Sequence, residues 1–132
     1  MAGSAADFRI ELRAAADEVD ALVMTITQKI AMFALSSVVM RSPVDTGRFR
    51  GNWLVSTGSP NEGMSENTDP GGQATIALGA SAITGLKQPE ILWLQNNLPY
   101  AQRLENGWSK QAPAGIVAVT FAEITSGFGG GV

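Results

Sequence analysis

The stretch Ser42-Pro43-Val44-Asp45-Thr46-Gly47-Arg48-Phe49-Arg50-Gly51-Asn52-Trp53 marks where one kind of backbone must stop and another begin. Pro43 disfavours helix in the residue before it. Asp45 suits a turn because a short carboxylate reaches nearby amides, and Gly47 supplies dihedrals that other residues avoid. A helix-to-strand corner is expected here, with Asp45 accepting from the N–H groups of Thr46 and Gly47. Arg48 and Arg50 alternate with Phe49, which predicts that both lie on one face of the incoming strand. There they could pair with carboxylates of a neighbouring subunit, or remain on a solvated edge where a pair adds only about 0–1 kcal/mol. Residues 51–57 read as the strand itself.

Upstream, residues 4–40 predict one long amphipathic helix. No Gly or Pro interrupts it after Gly3, and Ser4 followed by Asp7 resembles a capping box. Leu12, Val19, Ile26, Phe33 and Met40 recur every seven residues. Ala16, Val23, Ile30 and Ser37 follow the first four of these by four, and Phe8 extends the stripe upstream. This predicts an apolar seam opposite a polar face of Arg13, Asp17, Asp20 and Gln28. At 1.5 Å per residue the helix is about 50 Å long. That is more than a domain of this size needs, so its N-terminal half is expected to pack on a neighbour and its C-terminal half to lie on its own sheet.

Downstream, residues 58–72 read as a long exposed loop, whose length suggests function or mobility. Ala74, Ile76 and Leu78 alternate along residues 73–79, which predicts a second strand. Residues 81–87 read as a short helix ended before Pro89, and residues 91–95 as a third strand. A helical turn over residues 99–106 is terminated by Gly107. After loop 107–115, residues 116–124 form an apolar run that favours a helix begun near Pro113, with a strand as the alternative because a short apolar run does not decide its period. The glycine-rich end, residues 126–132, is expected to be a frayed, flexible tail. The fold class is therefore α+β: a long N-terminal helix, a small mostly antiparallel sheet of three or four strands and a C-terminal helix, in one domain over residues 1–132.

Composition narrows the chemistry. The chain has 132 residues and a mass of 13.8 kDa, which suits one domain. Charged residues make up only 16%, against a usual figure of about 25%, which suggests surface meant to be covered. The net charge of −3 and pI of about 4.8 argue against stable binding to phosphate backbones. With neither Cys nor His, disulfides, Cys nucleophiles, Ser-His-Asp triads and ordinary zinc sites are excluded. Glu62, Glu66 and Asp69 lack calcium-loop spacing, and Asp69-Pro70-Gly71-Gly72 has no Gly-Lys-Ser/Thr after it and is turn chemistry. No cofactor or metal is expected. The first residues do not read as a signal peptide. The most apolar stretch, residues 30–40, is too short for a bilayer, which needs about 20 residues, so no membrane partner is expected.

Two further segments stand out beside the opening one: Asn96-Asn97-Leu98-Pro99-Tyr100-Ala101-Gln102-Arg103-Leu104-Glu105-Asn106-Gly107 and Gln111-Ala112-Pro113-Ala114-Gly115-Ile116-Val117. In this order, behind a long helix, the three resemble the neck and tail-completion family of long-tailed bacteriophages, a resemblance covering residues from about 5 to about 125. Its hallmarks are a Pro-Val-Asp-Thr-Gly turn with an Arg three residues on, a Tyr-Ala…Glu-x-Gly segment, and an Ala-Pro lead into the last helix. The chain departs from the family in ending Ser126-Gly127-Phe128 and three glycines, which predicts a shorter last helix.

The resemblance implies a structural, non-enzymatic virion protein of the head–tail junction, assembled in the host cytoplasm. Its implied partners are copies of itself in a hexameric or dodecameric ring and other neck, connector or tail proteins, with DNA only passing through the channel. Weak acidity suits a conduit that DNA must not stick to. The expected structural and interface residues are Asp45, Thr46, Gly47, Arg48, Arg50, Tyr100, Glu105 and Trp108, and the expected contact elements are the N-terminal half of the helix, loop 58–72 and loop 107–113. Trp53, Trp93 and Tyr100 are expected mostly in the core, and Trp108, beside Gly107, as an interface anchor. Glu105 either accepts backbone hydrogen bonds near Gly107 or receives an Arg from the next subunit.

One enzymatic alternative uses the same turn. Asp45-Thr46-Gly47 matches the signature of retroviral-type aspartic proteases, in which two protomers each contribute one Asp. Ala77-Leu78-Gly79 mimics the downstream apolar-apolar-Gly segment. A preceding long helix and two flanking arginines are the wrong context for it. An accessory phage interaction module using the exposed helix is a third reading.

Overall fold

The computed structural model describes residues 5–129, with side chains described for residues 18–127. Helix α1 (Ala5–Arg41) runs unbroken for 37 residues and ends just before Ser42-Pro43. The last carbonyls of a helix have no intrahelical partner. Here Arg50 supplies one: its Nη2 donates to the carbonyls of Met40 (3.1 Å) and Ser42 (2.8 Å). This places a cation at the negative end of the helix dipole. Arg41, in the last turn, pairs with Glu123.

The chain then makes a 3-10 turn at Arg50–Asn52 and enters β1 (Trp53–Thr57). After residues 58–72 come α2 (Gln73–Thr84), β2 (Leu92–Asn96), α3 (Ala101–Glu105) and α4 (Val117–Ile124), and a π-helical turn over Thr125–Gly129 follows. The two strands pair antiparallel, from Trp53 opposite Asn96 to Thr57 opposite Leu92. The class is α+β as expected, but among the described residues the sheet has two strands, not three or four.

The difference lies in residues 73–79, read as a strand and found as the first half of α2. Alternation of Ala74, Ile76 and Leu78 misled because Ala77, Ala80, Ala82 and Ile83 are also apolar, so the run carries a helical period as well. Asp69 decides between them. Its Oδ2 accepts the Thr75 backbone N–H (2.8 Å) and hydroxyl (2.6 Å), capping the first turn. Helical geometry then buries Ile83 completely and leaves Leu78 73% exposed. The short helix expected at residues 81–87 is the end of the same element, which stops at Thr84.

The core lies between the C-terminal half of α1, the sheet, α2 and the segment leading into α4. Leu35 and Val39 are fully buried, and Phe49, Trp53, Ile83, Leu98 and Ile116 pack with them. The face of α1 that is used is not the expected seam. Gln28, Ala31, Leu35, Val38 and Ser42 turn toward the body: Gln28 Nε2 donates to the Ile83 carbonyl (3.0 Å) and Ala31 packs against the core. Seam residues Val19, Val23, Ile26 and Met40 are exposed. Phe33 to Leu35 is a step of two residues, which rotates about 200° around the helix, so the two faces are nearly opposed. Residues 30–40 are apolar on both sides, and a seven-residue repeat does not say which side meets the sheet. Gln28, assigned to the polar face, caps α2 instead.

The end of the chain also differs. Residues 126–129, read from the sequence as part of the glycine-rich tail, lie in the π-helical turn. The expected tail at residues 130–132 and the cap at Ser4 lie outside the described residues.

Candidate functional site

The three segments singled out in the sequence meet at one junction. Trp53 Nε1 donates to Ser42 Oγ (2.7 Å), which in turn donates to the Val38 carbonyl (2.5 Å). Strand β1 is thereby tied to the end of α1 through a fully hydrogen-bonded buried pair. The Phe49 ring stands edge-on to Trp53, with centroids 5.9 Å apart, and packs on Tyr100 at 6.0 Å. Asn96 Nδ2 donates to the Phe49 carbonyl (2.8 Å). Gln111 grips the turn like a strand neighbour: its Oε1 accepts the Val44 N–H (2.8 Å) and its Nε2 donates to the Val44 carbonyl (3.1 Å).

Glu105 joins the second and third segments. Its Oε1 accepts the N–H groups of Ile116 (3.0 Å) and Val117 (2.8 Å), and its Oε2 accepts that of Ala118 (2.9 Å). These are among the amides that a helix start leaves unpaired, and a carboxylate there also meets the positive end of the helix dipole. Of the two expectations for Glu105, backbone capping is the one found. Gly115 makes the approach possible: it has φ +95°, and a Cβ on it would lie 2.8 Å from Glu105 Oε2.

The turn residues behave differently from expectation. Asp45 is exposed and accepts no hydrogen bond from Thr46 or Gly47 among the described residues; Thr46 Oγ1 accepts the Arg48 N–H (3.2 Å) in its place. Gly47 has φ +91°, and a Cβ on it would meet the Pro70 nitrogen at 2.6 Å, so loop 58–72 passes directly over this glycine. Arg48 and Arg50 precede the strand rather than sharing its face. Both are engaged within the chain: Arg48 with the Ser65 carbonyl (3.0 Å) and Glu66 (2.9 Å), Arg50 with the Pro70 carbonyl (2.8 Å) and the end of α1. A curled turn, closed by Gly51 N–H donating to Gly47 O (3.0 Å), removes the alternation assumed for them.

Loop 58–72 is exposed yet strapped down. Asn52, almost fully buried, exchanges two hydrogen bonds with Ser65, and Asn97 Nδ2 donates to the carbonyls of Asn61 (2.7 Å) and Gly63 (2.9 Å). The carboxyl of Asp69 is held below the usual carboxylate value by the Thr75 hydroxyl first and the Thr75 N–H second. The Gly72 N–H and the Arg50 charge act in the same direction, and partial burial opposes them. These anchoring Asn and Gln residues were missed in the sequence. Their signal was their concentration in the motif segments, where apolar patterning says nothing about them.

Among the described residues no second carboxylate joins Asp45. It is the one carboxylate lining a hollow of about 230 Å³ beside Gly47, Phe49, Tyr100 and Gln111. Ala77-Leu78-Gly79, the proposed protease counterpart, is the middle of α2 and not a strand. Among the described residues no group of three or more metal-ligating side chains gathers.

Exposed apolar surface is the other candidate. Trp108 is 71% exposed with the Arg103 guanidinium 5.1 Å from its ring centroid, while Trp93 and Tyr100 sit at the edge of the core rather than inside it. Val19, Leu22, Val23 and Ile26 form an open ridge on α1. Beside it, α1 and β2 flank an apolar groove of about 380 Å³. The apolar run taken as residues 30–40 is part of a longer one: Glu18–Arg41 is long and apolar enough, by length and composition, to cross a membrane, and only 17% of its most apolar window is buried in the protein. No family model, curated protein or solved structure matches the chain.

Proposed function

We propose that this chain is a structural subunit of the head–tail junction of a long-tailed bacteriophage, acting in neck assembly or tail completion and not as an enzyme. The observation that carries the reading is the convergence of the three resembling segments on one junction. Within the resembling segments, the motif residues Glu105 and Gly115 tie α3 to the start of α4, and their segment neighbours Trp53 and Gln111 tie the sheet to the end of α1 and the turn to the segment that leads into α4. A likeness carried by such residues concerns architecture, and architecture is what a positional protein contributes. The exposed apolar ridge and the low charge fraction support a subunit that is covered by others when assembled.

In this reading copies form a hexameric or dodecameric ring, match the symmetry of the head connector to that of the tail, and leave a channel for DNA. Other neck, connector and tail proteins bind its two sides. Trp108 and loop 107–113 serve as contacts to them. Electron microscopy of a lysate from phage with an early stop codon in this gene tests it. Filled heads lying apart from detached tails, or tails of abnormal length, are expected. Immature capsids with uncleaved proteins would assign Asp45 to a protease, and normal infectious virions would leave the chain an accessory module.

A further inference from the structure

We propose that Asn106 is a self-modifying site: attack of the Gly107 backbone nitrogen on the Asn106 side-chain amide is blocked while α3 and the start of α4 stay clasped together, and it proceeds, irreversibly, when that clasp opens. The chemistry is local to residues 105–115 and independent of the head–tail reading.

The reaction needs only these two residues and water. Glycine after asparagine favours it, because no side chain obstructs the attacking nitrogen or restricts its backbone. Asn106-Gly107 is the only such pair in the 132 residues. The Gly107 nitrogen gives up its proton to hydroxide and bonds to Asn106 Cγ. The Cγ–Nδ2 bond breaks and ammonia leaves. Water then opens the resulting five-membered imide at one of its two carbonyls. One product carries Asp at position 106. In the other, isoaspartate, the backbone runs through the former side chain.

Asn106 is unoccupied where other asparagines are not. Asn52, Asn61, Asn96 and Asn97 each use the side-chain amide in hydrogen bonds within the chain. The Asn106 side chain is exposed and has no hydrogen bond among the described residues. Only the backbone holds it back.

Closing the imide ring requires the Asn106 Cβ and the Gly107 nitrogen to eclipse one another about the Cα–C′ bond. At φ −81° and ψ 10° the L-configured Cα turns them well apart. Rotating ψ breaks two hydrogen bonds, from the Gly107 N–H to the Leu104 carbonyl (3.2 Å) and from the Trp108 N–H to the Arg103 carbonyl (3.2 Å). It also pulls Gly107 away from the Pro113 carbonyl, whose oxygen would lie 2.5 Å from a Cβ at that position. Pro113 leads into the segment that Glu105 holds through the N–H groups of Ile116, Val117 and Ala118. Glu105 and Gly115, which build the clasp, therefore set how often Asn106 can react. A reaction that requires local opening runs in proportion to the population of the open form. Isoaspartate adds one backbone atom between Glu105 and Gly107, which displaces Gly107 from its place against Pro113.

The test holds the purified full chain in mildly alkaline buffer, folded or in guanidinium chloride. Conversion is followed by mass spectrometry of the tryptic peptide 104–110, in which Asn106 is the only side-chain amide. Gly115→Ala strains the clasp and leaves that peptide unchanged. Folded wild type is expected to convert at least about tenfold more slowly than the same chain in denaturant, and folded Gly115→Ala at least about threefold faster than folded wild type. Circular dichroism checks that the variant folds; if it does not, Glu105→Gln, compared with its own rate in denaturant, takes its place. A wild-type chain that converts equally fast folded and unfolded, or in neither state, overturns the proposal. A folded clasp variant as slow as wild type overturns it too, because the protection would then come from elsewhere than the α3–α4 clasp.

Discussion

The two ends of the apolar stretch in α1 have similar side chains and opposite fates. Around Leu35, Val38 and Val39 the helix is closed in by the sheet and α2, and its end is fastened by Ser42, Trp53 and Arg50. Around Val19, Leu22, Val23 and Ile26 equally apolar residues face outward. Hydrophobicity therefore does not assign burial here. Proximity to the polar junction does: it closes the sheet and α2 over the C-terminal half, whereas upstream residues 87–89 border the side that carries Asp20, Ala21 and Met24 and leave the ridge open.

The largest expected effect comes from breaking the closed half. Trp53→Ala removes a buried ring and the N–H that the Ser42 hydroxyl accepts; loss of about 3–5 kcal/mol is expected from truncating a core aromatic, read as a shift in urea midpoint at unchanged slope. Gly115→Ala comes next. It forces a non-glycine residue to φ +95° and crowds Glu105, for an expected cost of about 1–3 kcal/mol. Glu105→Ala leaves three amides at the start of α4 without their acceptor. About 0.5–2 kcal/mol is expected, as for loss of a helix cap, with faster amide exchange at Ile116, Val117 and Ala118 than elsewhere in the domain.

Acid titration sharpens the comparison further. The Asp69 carboxyl titrates lower in the folded chain than its ordinary value of 3.8. Its contribution is therefore complete above the unfolded value and is lost as pH falls through the folded one. Asp69→Asn should lower stability at neutral pH and flatten the acid limb of a stability–pH curve; an unchanged limb would mean that Thr75 does not hold the carboxylate in solution. The smallest stability effect is expected on the open half. Val23→Asp should change the stability by no more than about 0.5 kcal/mol, because the residue already faces outward. A large loss of monomer stability there would mean that the ridge packs within the chain.

Some of the architecture was legible early. The length of α1, its stop before Pro43, the turn at Gly47 and the pairing segments near residues 53–57 and 92–96 follow from local rules of breakers, caps and runs, whereas the apolar run after Gly115 left helix and strand both open. The motif segments were also visible as groups. What they do to one another was not, because Gln111 reaching Val44 and Glu105 reaching Ile116 are contacts between residues remote in the chain. Asp45 was given a capping role that Thr46 performs, since both side chains fit a turn and only the backbone path chooses between them.

By itself, the sequence determined a single α+β chain with a long helix, no thiol or imidazole chemistry and a set of turn residues at defined places. These are properties of local backbone preference and of side-chain inventory, which need no partner. The tertiary structure alone decided which side of α1 is covered, that residues 73–84 are helix, and that the arginines after the turn are consumed inside the chain. A helix apolar on two sides has two nearly equal ways to pack, and a short apolar run has two periods. Only the distant groups that close around them, Asp69 at Thr75 and Gln28 at Ile83 among them, separate the alternatives.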